Sequence, residues 1–151
     1  MKKLVVPALI AGLAGGFAEI AWIALYSSAT STSSADVARQ VTASLFASAV
    51  DMSWATWAGA GIHLALSIAL GVAFVTVLWG LSSTRPSATK IWATAVVALV
   101  CVWAANFLLI LPALNPVFVN LMPYAVTLTS KVLFGITMAG VLRFTVTASP
   151  G

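Results

Sequence analysis

Residues 123–143 read PYAVTLTSKVLFGITMAGVLR, an apolar run of membrane-spanning length that ends at Arg143 and has one internal charge, Lys131, near its middle. A lysine at the centre of a transmembrane helix costs about 2.5–3.5 kcal/mol on insertion scales, so a compensating group is expected. Of the three acidic residues in the chain, only Glu19 also lies within an apolar run. The two charges therefore predict a helical bundle in which Glu19 and Lys131 meet.

The composition excludes an ordinary soluble domain. The chain has 151 residues, of which 62% are hydrophobic and 7% charged, and its mean hydropathy is +1.09. Soluble domains carry about 25% charged residues, so one small membrane domain with little mass outside the bilayer is predicted. The net charge is +4. Because the basic residues stand at the ends of apolar runs, they indicate membrane topology and no nucleic-acid surface.

Four apolar runs predict an all-α integral membrane protein built as a four-transmembrane-helix bundle. The first run is longer than the 7–15 residues typical of a signal-peptide core, which favours a retained helix over a cleaved leader. Proline cannot continue the hydrogen-bond ladder of a helix, so Pro112 and Pro116 predict a tight reversal, and Pro123 predicts a kink. The predicted spans are residues 4–26, 54–81, 91–111 and 117–143.

An outer loop, residues 27–53, separates the first two predicted spans. Within it, residues 35–50 carry apolar side chains at near-helical spacing, which predicts a short amphipathic helix at the outer membrane surface. Two interpretations stay open for that helix. It either braces the bundle or docks a partner.

The basic residues predict the orientation of the helices. The side opposite to them carries Asp36, Arg39 and Asp51. The positive-inside rule places the more basic side in the cytoplasm, so both termini are predicted to be cytoplasmic and the bundle to lie in the plasma (inner) membrane. The residues on the basic side are Lys2, Lys3, Arg85, Lys90 and Arg143.

One polar residue from each predicted helix converges on the outer half of the bundle. At 1.5 Å per residue, these residues lie about 8–20 Å below the outer helix ends. Two interpretations of the charged pair are open. It is either a buried ion pair that fixes helix register, or a proton- or ion-coupled site in which protonation of the carboxylate competes with the lysine. The four residues of this predicted polar cluster are Glu19, His63, Asn106 and Lys131.

The segment Ala18–Glu19–Ile20 resembles the small multidrug-resistance transporters, which carry an essential glutamate in an apolar helix. The resemblance covers these few residues. The other helices do not follow the pattern of that family, which has no lysine like Lys131. The resemblance would imply a carrier role for an unpaired Glu19, and the chain is not assigned to that family.

His63 is the only histidine in the chain. It is either a hydrogen-bonded packing residue, with Glu19 or Asn106 as its partner, or an axial ligand to haem or a chlorin. Gly59, one turn earlier, would leave room for a flat macrocycle against the helix. No multi-ligand metal site is predicted, because one histidine and one glutamate supply too few ligands.

Small residues predict where helices pack closely, since close backbone approach holds helices together in lipid. Ser130 is assigned to hydrogen bonding between helices and not to a nucleophilic pair with Lys131, because adjacent residues on a helix point about 100° apart. The glycines predicted at helix contacts are Gly12, Gly16, Gly59, Gly71 and Gly135.

No phosphate-binding loop, paired carboxylates or catalytic-triad spacing is found in the sequence, so no enzyme is predicted. The leading interpretation is a small non-catalytic membrane subunit, surrounded by lipid, that packs in a homo-oligomer or a larger membrane complex. A proton- or ion-coupled transporter or channel is the alternative. A haem- or pigment-binding subunit that uses His63 is a third interpretation.

Overall fold

The computed structural model describes residues 2–82 and 84–147, and every regular element in this part of the chain is helical. A 3₁₀ turn, Ala47–Ala49, precedes α3, and a π-helical segment, Ala105–Ile110, joins α4 to α5. The helices are α1 Lys2–Ser28, α2 Ser34–Ala43, α3 Ala55–Gly80, α4 Ala88–Ala104, α5 Leu111–Leu114, α6 Pro116–Leu121 and α7 Tyr124–Thr147.

Four of the helical stretches are long and apolar enough to cross a membrane, as the sequence predicted. They are Leu4–Ser28, Ala55–Gly80, Ala88–Leu114 and Tyr124–Thr145. Consecutive stretches run in opposite directions. One end of the bundle therefore contains the first residues of α1 and α4 and the last residues of α3 and α7. We call this the inner end, and the opposite one the outer end.

The first helix packs with two different faces. One face meets α3: a Cβ placed on Gly71 of α3 would lie 2.6 Å from the Cα atom of Gly12. The other face meets α7: a Cβ on Gly15 would lie 2.6 Å from the ring of Phe134. Because each glycine leaves its space to the opposing helix, α1 stands between α3 and α7 with its backbone close to both.

The last helix, α7, packs in turn against α4. A Cβ on Gly135 would come within 3.2 Å of the Ala95 carbonyl oxygen. Nearer the outer end, the Trp103 indole N–H donates a 2.9 Å hydrogen bond to Thr127 Oγ1. The apolar core lies toward the inner end and comprises Ala8, Ala11, Phe74, Val75, Leu78, Ile91, Ala95, Leu99, Phe134, Met138, Ala139 and Leu142.

The short helix α2 lies against the start of α3. Ser33 caps it, its side chain accepting a hydrogen bond from the Ala35 N–H. Thr42, completely buried, donates a 2.6 Å hydrogen bond from its hydroxyl to the Ala55 carbonyl. The Ala38 carbonyl occupies the space that a side chain at Gly59 would fill. The contact between α2 and α3 is therefore a backbone-to-backbone approach that a larger residue at 59 would prevent.

The sequence predicted that the third membrane-length stretch ends at residue 111, just before Pro112. In the structure this stretch continues to Leu114. Ahead of the proline the hydrogen bonding changes register, and the Leu111 N–H bonds to the Asn106 carbonyl. A π-helical turn is wider than an α-helical one, so the chain passes the proline ring without ending the helix.

The predicted span 117–143 is divided into two helices. The expected kink at Pro123 is therefore wrong, because the helix is fully broken there. Its first residues belong to the separate helix α6, and Met122, with φ −125° and ψ 126°, is extended. Asn115 caps α6 by accepting a 3.1 Å hydrogen bond from the Phe118 N–H, and Pro116 takes the first helical position. This is a favourable helix start, because Asn suits the cap and Pro needs no acceptor at the first turn.

Asn115 also joins the two halves of the chain at the outer end. Its side-chain amide donates to the Gln40 carbonyl at 3.0 Å and lies 3.1 Å from both Gln40 Oε1 and Ser44 Oγ. These acceptors belong to the end of α2 and the residue that follows it. α2 is thus held by α3 below it and by the start of α6 beside it.

Replacing Gly71 by alanine should lower the free energy of unfolding by about 1–3 kcal/mol, the usual cost of overpacking. The added methyl would press on the backbone of α1 at Gly12, which cannot rotate away. The thermal midpoint in detergent measures the loss. Gly61→Ala is the matched control, since no atom lies within 4 Å of its added methyl. Equal losses in both variants would contradict the close crossing of α1 and α3.

Candidate functional site

Glu19 is only 3% exposed, and both of its carboxylate oxygens are occupied. Lys131 Nζ donates to Oε2 at 2.7 Å. The Ser130 hydroxyl lies 3.0 Å from Oε1 and 2.7 Å from the Thr127 carbonyl, so its one hydrogen is shared between these two acceptors. A buried carboxylate needs such partners, because an unpaired charge away from water is strongly unfavourable.

The register of α1 against α7 brings these groups together. The Gly15–Phe134 contact lies one turn before Glu19, and the Trp22 indole N–H donates to the Val126 carbonyl at 3.0 Å one turn after it. In an antiparallel pair these contacts form three successive layers, with Glu19 and Ser130 in the middle layer. Packing on one side and a hydrogen bond on the other therefore position the charged pair.

Lys131 has a second, weaker interaction. Its Nζ lies 5.7 Å from the centre of the Phe134 ring, within the range of a cation–π contact. The side chain of Lys131 is 15% exposed, compared with 4% for that of Glu19. The ammonium group is thus held between a carboxylate and the face of an aromatic ring.

His63 brings α3 to the same place. Its Nε2 lies 3.6 Å from Glu19 Oε2 and 3.4 Å from the Gly16 carbonyl oxygen. Both neighbours are acceptors, so the tautomer with hydrogen on Nε2 fits this position. The side chain of His63 is 24% exposed, more than either of the charged groups.

Asn106, the fourth residue of the predicted cluster, makes no side-chain hydrogen bond to Glu19, His63 or Lys131 within the described part of the chain. It lies in the π-helical segment. Ser130 completes the cluster instead. The assembled polar cluster is therefore Glu19, His63, Ser130 and Lys131, contributed by α1, α3 and α7.

Ser130 was missed as a member of the cluster for an identifiable reason. Adjacent residues on α7 do not face each other, but Glu19 lies between them and presents one oxygen to each. Because Ser130 and Lys131 point in different directions around α7, each can reach a different oxygen of the Glu19 carboxylate. A neighbouring Ser–Lys pair in an apolar helix is therefore a signal for a buried carboxylate on the facing helix.

The space expected for a macrocycle beside His63 is not there. The backbone of α2 at Ala38 and the Thr42 hydroxyl fill the position next to Gly59. His63 itself is directed at α1. The residues present do not fit a haem or chlorin in this position. Across residues 2–82 and 84–147, no three His, Cys, Asp or Glu side chains come together as a metal site would require.

A groove of about 480 Å³, lined by both charged and apolar side chains, lies at the outer end, between α2 and α6. Arg39 and Asp36 approach to 3.5 Å in it, one turn apart on α2 and about half exposed. An exposed pair of this kind contributes about 0–1 kcal/mol to stability and does not rigidly organise the groove. The groove is lined by Asp36, Arg39, Gln40, Val50, Asp51, Val117, Asn120 and Leu121.

Replacing Glu19 by glutamine should destabilise the fold by about 3–5 kcal/mol, because it leaves the Lys131 ammonium buried without a counter-charge. Lys131→Gln should have a similar effect. Exchanging the two residues, Glu19→Lys with Lys131→Glu, should recover part of the loss. The measurement is the unfolding midpoint of each variant in the same detergent.

Ser130→Ala is the matched control for the charged pair. It removes one neutral donor to the carboxylate and should cost about 0.5–1.5 kcal/mol. If the Glu19 and Lys131 substitutions cost no more than this, or if the exchange adds the two losses together, the ion pair does not hold α1 to α7.

Comparison with known proteins places the chain in no family. No family model, curated protein or solved structure matches it. What the chain does is therefore inferred from its geometry alone.

Proposed function

We propose that this chain is a small, non-catalytic integral-membrane protein that packs as a subunit of a homo-oligomer or of a larger membrane complex. The observation that carries the non-catalytic part of the proposal is the closure of the charged site. Both oxygens of Glu19 are bound by Ser130 and Lys131, and the carboxylate is almost fully buried. A carboxylate so enclosed holds helices in place and presents no free group to a substrate.

In this proposal the four long helices cross the plasma (inner) membrane with both termini in the cytoplasm. Support comes from the distribution of charge. Arg85 and Lys90 lie in and just after the connection between α3 and α4, and Arg143 lies near the end of α7, all at the inner end. The positive-inside rule assigns that end to the cytoplasm.

The helix α2 then lies at the outer membrane surface as a brace. Val37 and Thr42 are buried, whereas Asp36 and Arg39 remain exposed and about one turn apart. The hydrogen bonds from Asn115 fix the end of α2 to the start of α6. Supports from two directions favour a brace over a mobile docking helix.

A proton-coupled carrier is the second candidate, and one observation favours it. His63 Nε2 lies 3.6 Å from the carboxylate, and its side chain is six times as exposed as that of Glu19, at 24% compared with 4%. A proton taken up by His63 could pass to Glu19, and protonation of Glu19 would weaken its hold on Lys131. The cluster would then act as a site that binds either a proton or the lysine.

The mass of the purified particle tests the subunit proposal. Extracted from its own membrane in mild detergent, the 15.6 kDa chain should be found in particles that contain several copies or a stoichiometric partner. Native mass spectrometry gives the number of copies directly. A series of detergent concentrations is the control for co-micellisation. Particles that contain one chain and no partner at every detergent concentration would contradict the proposal.

Proton flux into vesicles separates the two candidates. The native protein and the Glu19→Asp variant, which keeps the charge, are each reconstituted into vesicles under an imposed pH gradient. If the chain is a structural subunit, both kinds of vesicle should acidify at the rate of empty vesicles. A pH-sensitive dye inside the vesicles measures this rate. The carrier would replace the subunit proposal if the native protein gave a proton flux above this background and the His63→Gln variant, with the same thermal stability, did not.

A further inference from the structure

Between α2 and α3 the chain places large apolar side chains on its outside. Leu45 is 60% exposed, Phe46 58%, Met52 50% and Trp54 51%. Trp57, in the first turn of α3, is 80% exposed. We call residues 45–57 the outer turn. Apolar side chains clustered in one short segment at the protein surface usually mark a contact with a partner or with lipid.

The outer turn is held in a defined shape by its own backbone. The Thr42 carbonyl accepts hydrogen bonds from the N–H groups of Leu45 and Phe46. The Met52 N–H then donates to the Ala49 carbonyl, and the Ala55 N–H to that of Met52. Ala49 is buried at 6%. Hydrogen bonds hold the backbone of the outer turn at both ends and in the middle. The apolar side chains are therefore exposed in a defined conformation and not because the segment is unfolded.

The outer turn also has a polar side. Val50 and Asp51 line the groove together with Asp36 and Arg39 of α2. Charged groups therefore face the groove, whereas Phe46 and Met52, on either side of the Val50–Asp51 step, do not line it. A segment with one charged and one apolar side suits the boundary between water and lipid.

The length of α3 places the outer turn at that boundary. Its 26 residues, Ala55–Gly80, are about 39 Å long, compared with about 30 Å for the hydrocarbon core of a bilayer. Divided between the two ends of α3, this excess of about 9 Å puts its first turn near the level of the lipid headgroups. Tryptophan is enriched at this level because its ring is apolar and its N–H is polar.

We propose that the outer turn inserts into the headgroup–acyl boundary of the outer lipid leaflet, with Leu45, Phe46, Met52, Trp54 and Trp57 as the inserted side chains. This inference rests on the membrane placement under the proposed function. The partner is the lipid itself, because Trp57 lies on the same exposed face of α3 as Gly61 and Ala65, one and two turns further along the helix. The bundle is thus anchored at the outer end by a folded turn as well as by its spanning helices.

Spin labelling tests the proposal. Cys101 is the only cysteine in the chain, so Cys101→Ser gives a background for single cysteines. Phe46→Cys and Met52→Cys place a nitroxide on the apolar side, and Asp51→Cys is the matched control on the groove side. Phe17→Cys, on an exposed position in the middle of α1, reports the membrane interior. Each protein is reconstituted into phosphatidylcholine vesicles.

The readout is the collision rate of each nitroxide with oxygen, which concentrates in lipid, and with a nickel chelate, which stays in water. Oxygen should dominate at positions 46 and 52 and the chelate at position 51, with position 17 the deepest of the four. Dominance of the chelate at either 46 or 52, with position 17 still deep, overturns the anchor and leaves the spanning helices intact. Dominance of the chelate at position 17 as well overturns the membrane placement itself.

Discussion

The ion pair between Glu19 and Lys131, at 2.7 Å, is the contact on which the arrangement of the helices depends. Neither charge can be left alone in an apolar interior, and removing one partner of a buried pair commonly costs about 3–5 kcal/mol. The pair therefore fixes both the rotation and the vertical position of α1 against α7. The Gly15–Phe134 and Trp22–Val126 contacts occur in that same register, so packing and electrostatics favour the same arrangement.

The rest of the bundle is organised around α1. Gly12 and Gly16 allow α3 to approach α1 on one side, while Gly15 admits Phe134 of α7 on the other. His63 joins the charged pair because α3 lies close at Gly16. At the outer end, Asn115 ties α2 to the start of α6, so segments far apart in the chain close the same end of the molecule. One central helix and one capping residue thus connect most of the elements.

The sequence predicted the number of long helices, because apolar length is a local property. It also predicted the meeting of Glu19 with Lys131, because the cost of an unpaired charge leaves few alternatives. Asn106 makes no hydrogen bond to the other three residues: its depth was counted with the rise of a regular α-helix, whereas it lies in a π-helical segment. The interruption before α7 could be found from the sequence, since Pro123 opposes continuation of a helix there. The sequence could not have shown that α2 fills the space beside Gly59, because a glycine does not specify which neighbour occupies that space.

The separation of the charged pair along the chain has a consequence for how the protein is made. Glu19 and Lys131 are 112 residues apart, and Lys131 belongs to α7. In the proposed membrane placement, a nascent chain that has delivered α1, α3 and α4 to the bilayer therefore contains an acidic side chain whose lysine has not yet been inserted. Until α7 arrives, Glu19 must be protonated, remain at the water interface, be shielded by another protein, or rely on His63 of α3, whose Nε2 lies 3.6 Å from its carboxylate in the folded bundle. Arrival of α7 is thus the step that allows α1 to settle as a charged helix, which couples the synthesis of α7 to the final packing of α1.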